Sequence, residues 1–120
     1  MDDTQRRRFS RIRFHGDARL LIDDAEHPCE VVDLSLRGAL VDATLLPAPA
    51  LGTRCLLELR LGEGVAVRME GDIAHRAERR IGLACREIDL DSLIHLRRLL
   101  ALNFGDAAMI ERELSALLGG

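Results

Sequence analysis

Between Ala18 and about Arg86 the chain alternates apolar and polar positions in short runs broken by turn residues, the period of half-buried strands. The clearest stretch runs from Arg54 to Ile73. Cys55, Leu57, Leu59 and Leu61 point one way and Arg54, Glu58 and Arg60 the other, Gly62-Glu63-Gly64 supplies a hairpin turn, and Val65, Val67, Met69 and Ile73 resume the apolar face opposite Arg68, Glu70 and Asp72. Read this way, the strands are Ala18 to Ile22, Glu30 to Leu34, Ala39 to Val41, Arg54 to Leu61, Val65 to His75 and Ile81 to Arg86, six in number and enough to close an antiparallel barrel. Pro47, Pro49 and Gly52 make the connection between the third and fourth strands irregular.

Past Asp91 the period changes. Leu93, Leu96, Leu99, Leu100 and Asn103 fall near one helical face behind Asp91 as N-cap, and Gly105 stops that helix. Asp106 can cap a second helix with an apolar stripe of Ile110, Leu114, Leu117 and Leu118, ended by Gly119-Gly120. The expectation is a mainly β fold: a six-stranded antiparallel β-barrel followed by two α-helices packed against its outside or end.

With 120 residues, 48% of them apolar, the chain supports one core and hence one domain. No apolar run approaches the ~18 residues of a membrane span, and the N-terminus is charged rather than shaped like a signal peptide. A soluble, cytoplasmic protein without membrane insertion is expected. Cys29, Cys55 and Cys85, odd in number and set in apolar stretches, read as core residues rather than disulfides or metal ligands. All 17 Lys+Arg residues are arginine, yet the net charge is −3, so the whole molecule is no electrostatic magnet for nucleic acid. Distribution says more, because five arginines, Arg6, Arg7, Arg8, Arg11 and Arg13, crowd the beginning of the chain.

Arg7 and Arg11 are spaced R-x-x-x-R, with Arg6 and Arg8 beside them. A guanidinium presents a planar fork of donors that suits phosphate, or the adjacent O6 and N7 acceptors of guanine. A solvated basic tail is the plainer reading of such a cluster taken alone. The second constellation is Asp33-Leu34-Ser35-Leu36-Arg37-Gly38, where one strand ends and the next begins. Asp, Ser and Gly are ordinary turn residues. They also make a ligand corner, in which the carboxylate accepts from guanine N1–H and N2–H, the hydroxyl reaches phosphate, and glycine leaves room for close approach.

Together the two elements, Arg7-Arg8-Phe9-Ser10-Arg11 and Asp33-Leu34-Ser35-Leu36-Arg37-Gly38, resemble those of the PilZ domain family, whose members carry R-x-x-x-R in an N-terminal loop and D/N-x-S-x-x-G further along in a small barrel. Neither motif departs from the family pattern. The resemblance covers almost the whole chain as a single PilZ domain: an arginine-rich arm over 1–14, a barrel over 15–88 and C-terminal helices over 89–120, as in short stand-alone members. It implies a six-stranded barrel whose flexible arm folds over cyclic di-GMP, with no other cofactor. Carried over, Arg7 and Arg11 clamp guanine and phosphate, Asp33 and Ser35 hold a guanine edge and phosphate, and Gly38 shapes the turn. An arginine before R-x-x-x-R accompanies a stacked pair of ligands in similar proteins, so Arg6, helped by Arg8, implies two molecules per chain. His75 falls where some short members place a stacking tryptophan. It is a smaller substitute there, and a sheet-edge side chain is the plainer reading.

Other chemistry is thinly represented. His15, His27 and His95 lack metal-ligand spacing, and pairs such as Asp23-Asp24 come with no nucleophile signature, so neither a metal site nor an enzyme is expected. A nucleic-acid-binding small barrel would stack bases on aromatic side chains, and the chain offers only Phe9, Phe14 and Phe104. A protein-interaction adaptor of the same fold that has lost nucleotide binding would lack one of the two motifs, and both are intact. The expected role is a receptor whose arm rearranges on ligand and signals to an unidentified downstream protein.

Overall fold

The computed structural model describes residue 12 and residues 17–45, 47–104 and 107–119. These form strands β1 (Asp17–Ile22), β2 (Ala25–Ser35), β3 (Gly38–Asp42), β4 (Arg54–Gly62), β5 (Val65–Ala77) and β6 (Arg80–Ile88), then helices α1 (Leu90–Phe104) and α2 (Ala107–Leu117). The strands pair antiparallel in the order β1-β2-β3-β6-β5-β4, and β4 returns to β1 to close a barrel. Every strand expected from the apolar alternation is present, followed by the two helices.

Ala18, Leu20, Val31, Leu34, Val41, Cys55, Leu57, Leu59, Val67, Met69, Ile73, Ile81 and Leu83 fill the interior, from alternate strand positions except across the β2 bulge. β2 begins five residues before its apolar pattern does. Its first part, Ala25 to Cys29, pairs only with β1, so Pro28 stands on an open edge where its missing N–H deprives no neighbour. Val31 and Leu34, three apart, both face inward because the register shifts between Val31 and Asp33, a bulge that inserts Val32.

Asp89 caps α1, where the sequence pattern had pointed to Asp91. The Ser92 N–H donates to Asp89 Oδ2 at 3.0 Å, while Asp91 lies in the first helical turn. Bonds from the Ser92 hydroxyl and then the Ser92 N–H hold the Asp89 carboxyl below the ordinary aspartate range. Buried Ser92 also ties the helix to the barrel, its Oγ accepting the Arg68 N–H at 2.9 Å. That N–H needs a partner because the pairing of β6 with β5 has already ended at Met69–Ile88.

Leu96, Leu100 and Ile110 are fully buried, α1 packing on β5 and α2 on α1, with Leu93, Leu99, Leu114 and Leu117 packed partly beside them. Two expected members of these stripes face solvent instead. Asn103 donates its side-chain amide to the Leu99 carbonyl at 2.8 Å, and Leu118, beyond the last helical residue, is 70% exposed. The expected stop at Gly105 and cap at Asp106 lie outside the described residues. Of the three cysteines only Cys55 is fully in the core, Cys29 and Cys85 being partly buried. Burial pushes the Cys55 thiol up to about 12 and Cys29 to about 11, so both stay protonated at neutral pH.

Candidate functional site on the outer face of the barrel

The D-x-S-x-x-G segment is the hairpin between β2 and β3, closed by the pair Ser35–Gly38 around Leu36 and Arg37. Ser35 is buried, and its Oγ accepts the Arg37 N–H at 3.2 Å and donates to the Gly38 carbonyl at 3.4 Å. The Arg37 carbonyl accepts the Cys85 N–H at 2.8 Å, fastening the tip to β6. Leu36, 1% exposed, is sunk into the core.

Gly38 is required for a reason other than turn shape. A Cβ there would sit 2.0 Å from the Leu83 carbonyl oxygen, so the close approach of β3 to β6 excludes any side chain. Its φ is not in the left-handed region that a turn glycine often adopts.

Arg6, Arg7, Arg8 and Arg11 lie outside the described residues. The residue after Arg11 is described, and it lands at the site. Ile12, 8% exposed, forms an isolated antiparallel bridge with Leu34, its N–H donating to the Leu34 carbonyl at 2.9 Å and its carbonyl accepting the Leu34 N–H at 2.8 Å. Leu34 stands between Asp33 and Ser35. Its backbone groups face away from β3 on an edge that β1 does not reach, and Ile12 satisfies both. The backbone leaving the R-x-x-x-R segment is therefore hydrogen-bonded to the middle of D-x-S.

The register extends this edge into a panel, because residues paired across strands share a face. Asp33 pairs with Leu40, Leu40 with Gly82, and Gly82 with His75; alongside runs Ser35–Gly38–Ala84–Asp72. Ile81 and Leu83 point inward, which sets both rows on the outer face. Asp33, Ser35, Gly38 and His75 are thus brought to one surface. The carboxylate of Asp33 is half-buried, and among the described residues no hydrogen bond or ion pair reaches it. Strict alternation from inward-facing Ile73 would turn His75 into the core. A register shift between Ile73 and His75 inserts Ala74 and delivers His75 to the outside. A Cβ on Gly82 would lie 2.9 Å from the His75 Cβ, so glycine makes room for that side chain.

Sequence reasoning missed the floor and the far edge of the panel. Leu40, Gly82 and Ala84 form the floor, and Arg86 borders it, its Nε 3.1 Å from Asp72 Oδ2. Asp72 Oδ1 is 3.0 Å from Arg54 Nε, and Arg54 also reaches Glu70 at 3.0 Å. No local motif marks these residues; only the pairing of β3 with β6 and of β6 with β5 assembles them.

Solved structures share this architecture. The PilZ domain of CeSA from a cellulose-synthesizing bacterium aligns with a TM-score of 0.63 at 19% identity, over 80% of this chain and 96% of that one. The PlzA protein of Borreliella burgdorferi, crystallised in complex with c-di-GMP, aligns with a TM-score of 0.51 at 22% identity, over 80% of this chain and 37% of that one. An uncharacterized Legionella protein aligns with a TM-score of 0.51 at 19% identity, over 75% and 92% of the two chains. At such identities the likeness is one of fold. The PilZ domain model itself matches residues 5–102, a span that includes both motifs and the whole barrel, and the chain belongs to the PilZ domain family.

Proposed function

We propose that this protein is a cytoplasmic cyclic di-GMP receptor that works by binding rather than catalysis. The observation that carries the reading is the Ile12–Leu34 bridge, which ties the residue after the arginine motif to the middle of the D-x-S segment. Guanidinium forks of Arg7 and Arg11 take guanine O6 and N7 and a phosphate, Asp33 accepts from a guanine edge, Ser35 turns its hydroxyl proton from the long 3.4 Å bond to the Gly38 carbonyl toward phosphate, and His75 closes the other side. Arg6, with Arg8, supports a second stacked ligand. Membership of the family, and the bound c-di-GMP of the similar PlzA, support this ligand over other anions.

Ligand binding orders the segment before Ile12, changes the exposed surface and so alters affinity for a downstream protein. Such a shift needs contacts that differ between the free and bound states, and arm-to-ligand bonds are of that kind. Alanine at Arg7 or Arg11 is expected to weaken cyclic di-GMP binding by at least ~1.5 kcal/mol each, as loss of a charge-assisted bond would. Hydrogen exchange should show the amides of residues 6–11 slowed by ligand. Wild-type affinity in both variants would refute the assignment, and an arm whose exchange ignores ligand would refute the switch.

A further inference from the structure

We propose that Arg86 is a second phosphate-binding position, at the edge of the panel opposite Ser35, taking a phosphodiester that the arginine segment does not hold. The inference rests on the cyclic di-GMP reading above. Arg86 is 60% exposed and its guanidinium forms an ion pair, Nε lying 3.1 Å from Asp72 Oδ2, while Asp72 accepts a hydrogen bond from Arg54 through its other oxygen. The contact is an ion pair rather than a hydrogen bond, and among the described residues no partner reaches the Nη donors, which can take an anion.

Asp72 pairs with Ala84, Ala84 with Gly38, and Gly38 with Ser35, while Arg86 is itself unpaired at the register shift between Glu70 and Gly71. Its ion pair with Asp72 sets it on the same surface as Ser35, across a strip that includes alanine and glycine. A flat ligand resting there meets a hydroxyl at one end and a guanidinium at the other. The hairpin tip lies close by, the Arg37 carbonyl being bonded to the Cys85 N–H, one residue before Arg86. Of the acids around Arg86, Asp72 is shared with Arg54, Glu70 is paired with Arg54, and Glu87 is exposed on the following residue.

The competing explanation is that Arg86 merely staples β6 to β5 through Asp72. Arg54 tests it, because it engages the same carboxylate from β4, one strand farther from Ser35. Cyclic di-GMP should be titrated into wild type, Arg86→Gln, Arg86→Lys and Arg54→Gln at low and high salt. Expected is a loss of about tenfold or more for Arg86→Gln with weaker salt dependence, partial recovery in Arg86→Lys, and Arg54→Gln within about twofold of wild type. Unchanged binding by Arg86→Gln, or equal losses in Arg86→Gln and Arg54→Gln, would overturn the proposal while leaving the receptor reading in place. Failure of the wild type to bind would overturn both.

Discussion

β2 is flanked by two hairpins with two-residue tips, and they are held together in opposite ways. The β1–β2 tip, Asp23-Asp24, is exposed and has both residues at positive φ, 50° and 66°, the local geometry that matches strand twist. The β2–β3 tip, Leu36-Arg37, has no positive φ. It is held by Ser35 from within, by Leu36 buried beneath, by Leu83 pressed against Gly38, and by Cys85 bonded to its carbonyl. The first is a turn that its own residues specify. The second is a turn specified by the barrel, and it is the one that carries the candidate site, so the rigid half of the site is only as well placed as the barrel is intact.

Substitutions that strike tertiary support should therefore cost far more than those at the local turn. Gly38→Ala should be the most severe, losing about 4 kcal/mol or preventing folding, because the clash is with backbone that cannot rotate away. Leu36→Ala should cost about 3 kcal/mol by leaving a cavity under the tip. Ser35→Ala should cost about 1 kcal/mol of stability, and cyclic di-GMP affinity with it. Asp24→Gly should stay within about 0.5 kcal/mol of wild type, since relief of a left-handed aspartate offsets the greater freedom of glycine in the unfolded chain. Urea denaturation ranks all four. A Leu36→Ala protein as stable as Asp24→Gly would erase the contrast.

The junction of β6 with α1 gives a control remote from the hairpins. Asp89→Ala should cost about 1 kcal/mol as the loss of an N-cap. Because the folded-state pKa of Asp89 is depressed below its ordinary 3.8, the cap contributes fully above that range and is lost as pH falls through the lower folded value. The stability gap between wild type and Asp89→Ala should accordingly close in acid. A gap constant from neutral pH to below 3 would contradict the ionised cap.

The strands and both motifs were legible because period-2 alternation and turn chemistry are local properties, as the Arg54 to Ile73 run shows. The panel was not, because it depends on register. Bulges at Val32 and Ala74 each reverse the alternation, so Leu34 and His75 cannot be assigned a face from spacing alone. Asp89 and Asp91 are equally good caps by residue type, and only the helix start at Leu90 separates them. Gly38 looked like a turn glycine until Leu83 was seen against it. Arg86 carried no motif, and its neighbour across the strip, Ser35, is 51 positions earlier in the chain.

The most direct test is calorimetric titration of the wild-type protein with cyclic di-GMP, with GTP and linear pGpG as controls, repeated on Asp33→Ala and Arg11→Ala. Selective binding of cyclic di-GMP, weakened by either substitution and with a stoichiometry near two if Arg6 acts as proposed, is expected. No binding by the wild type, or equal binding of all three nucleotides, would contradict the receptor reading.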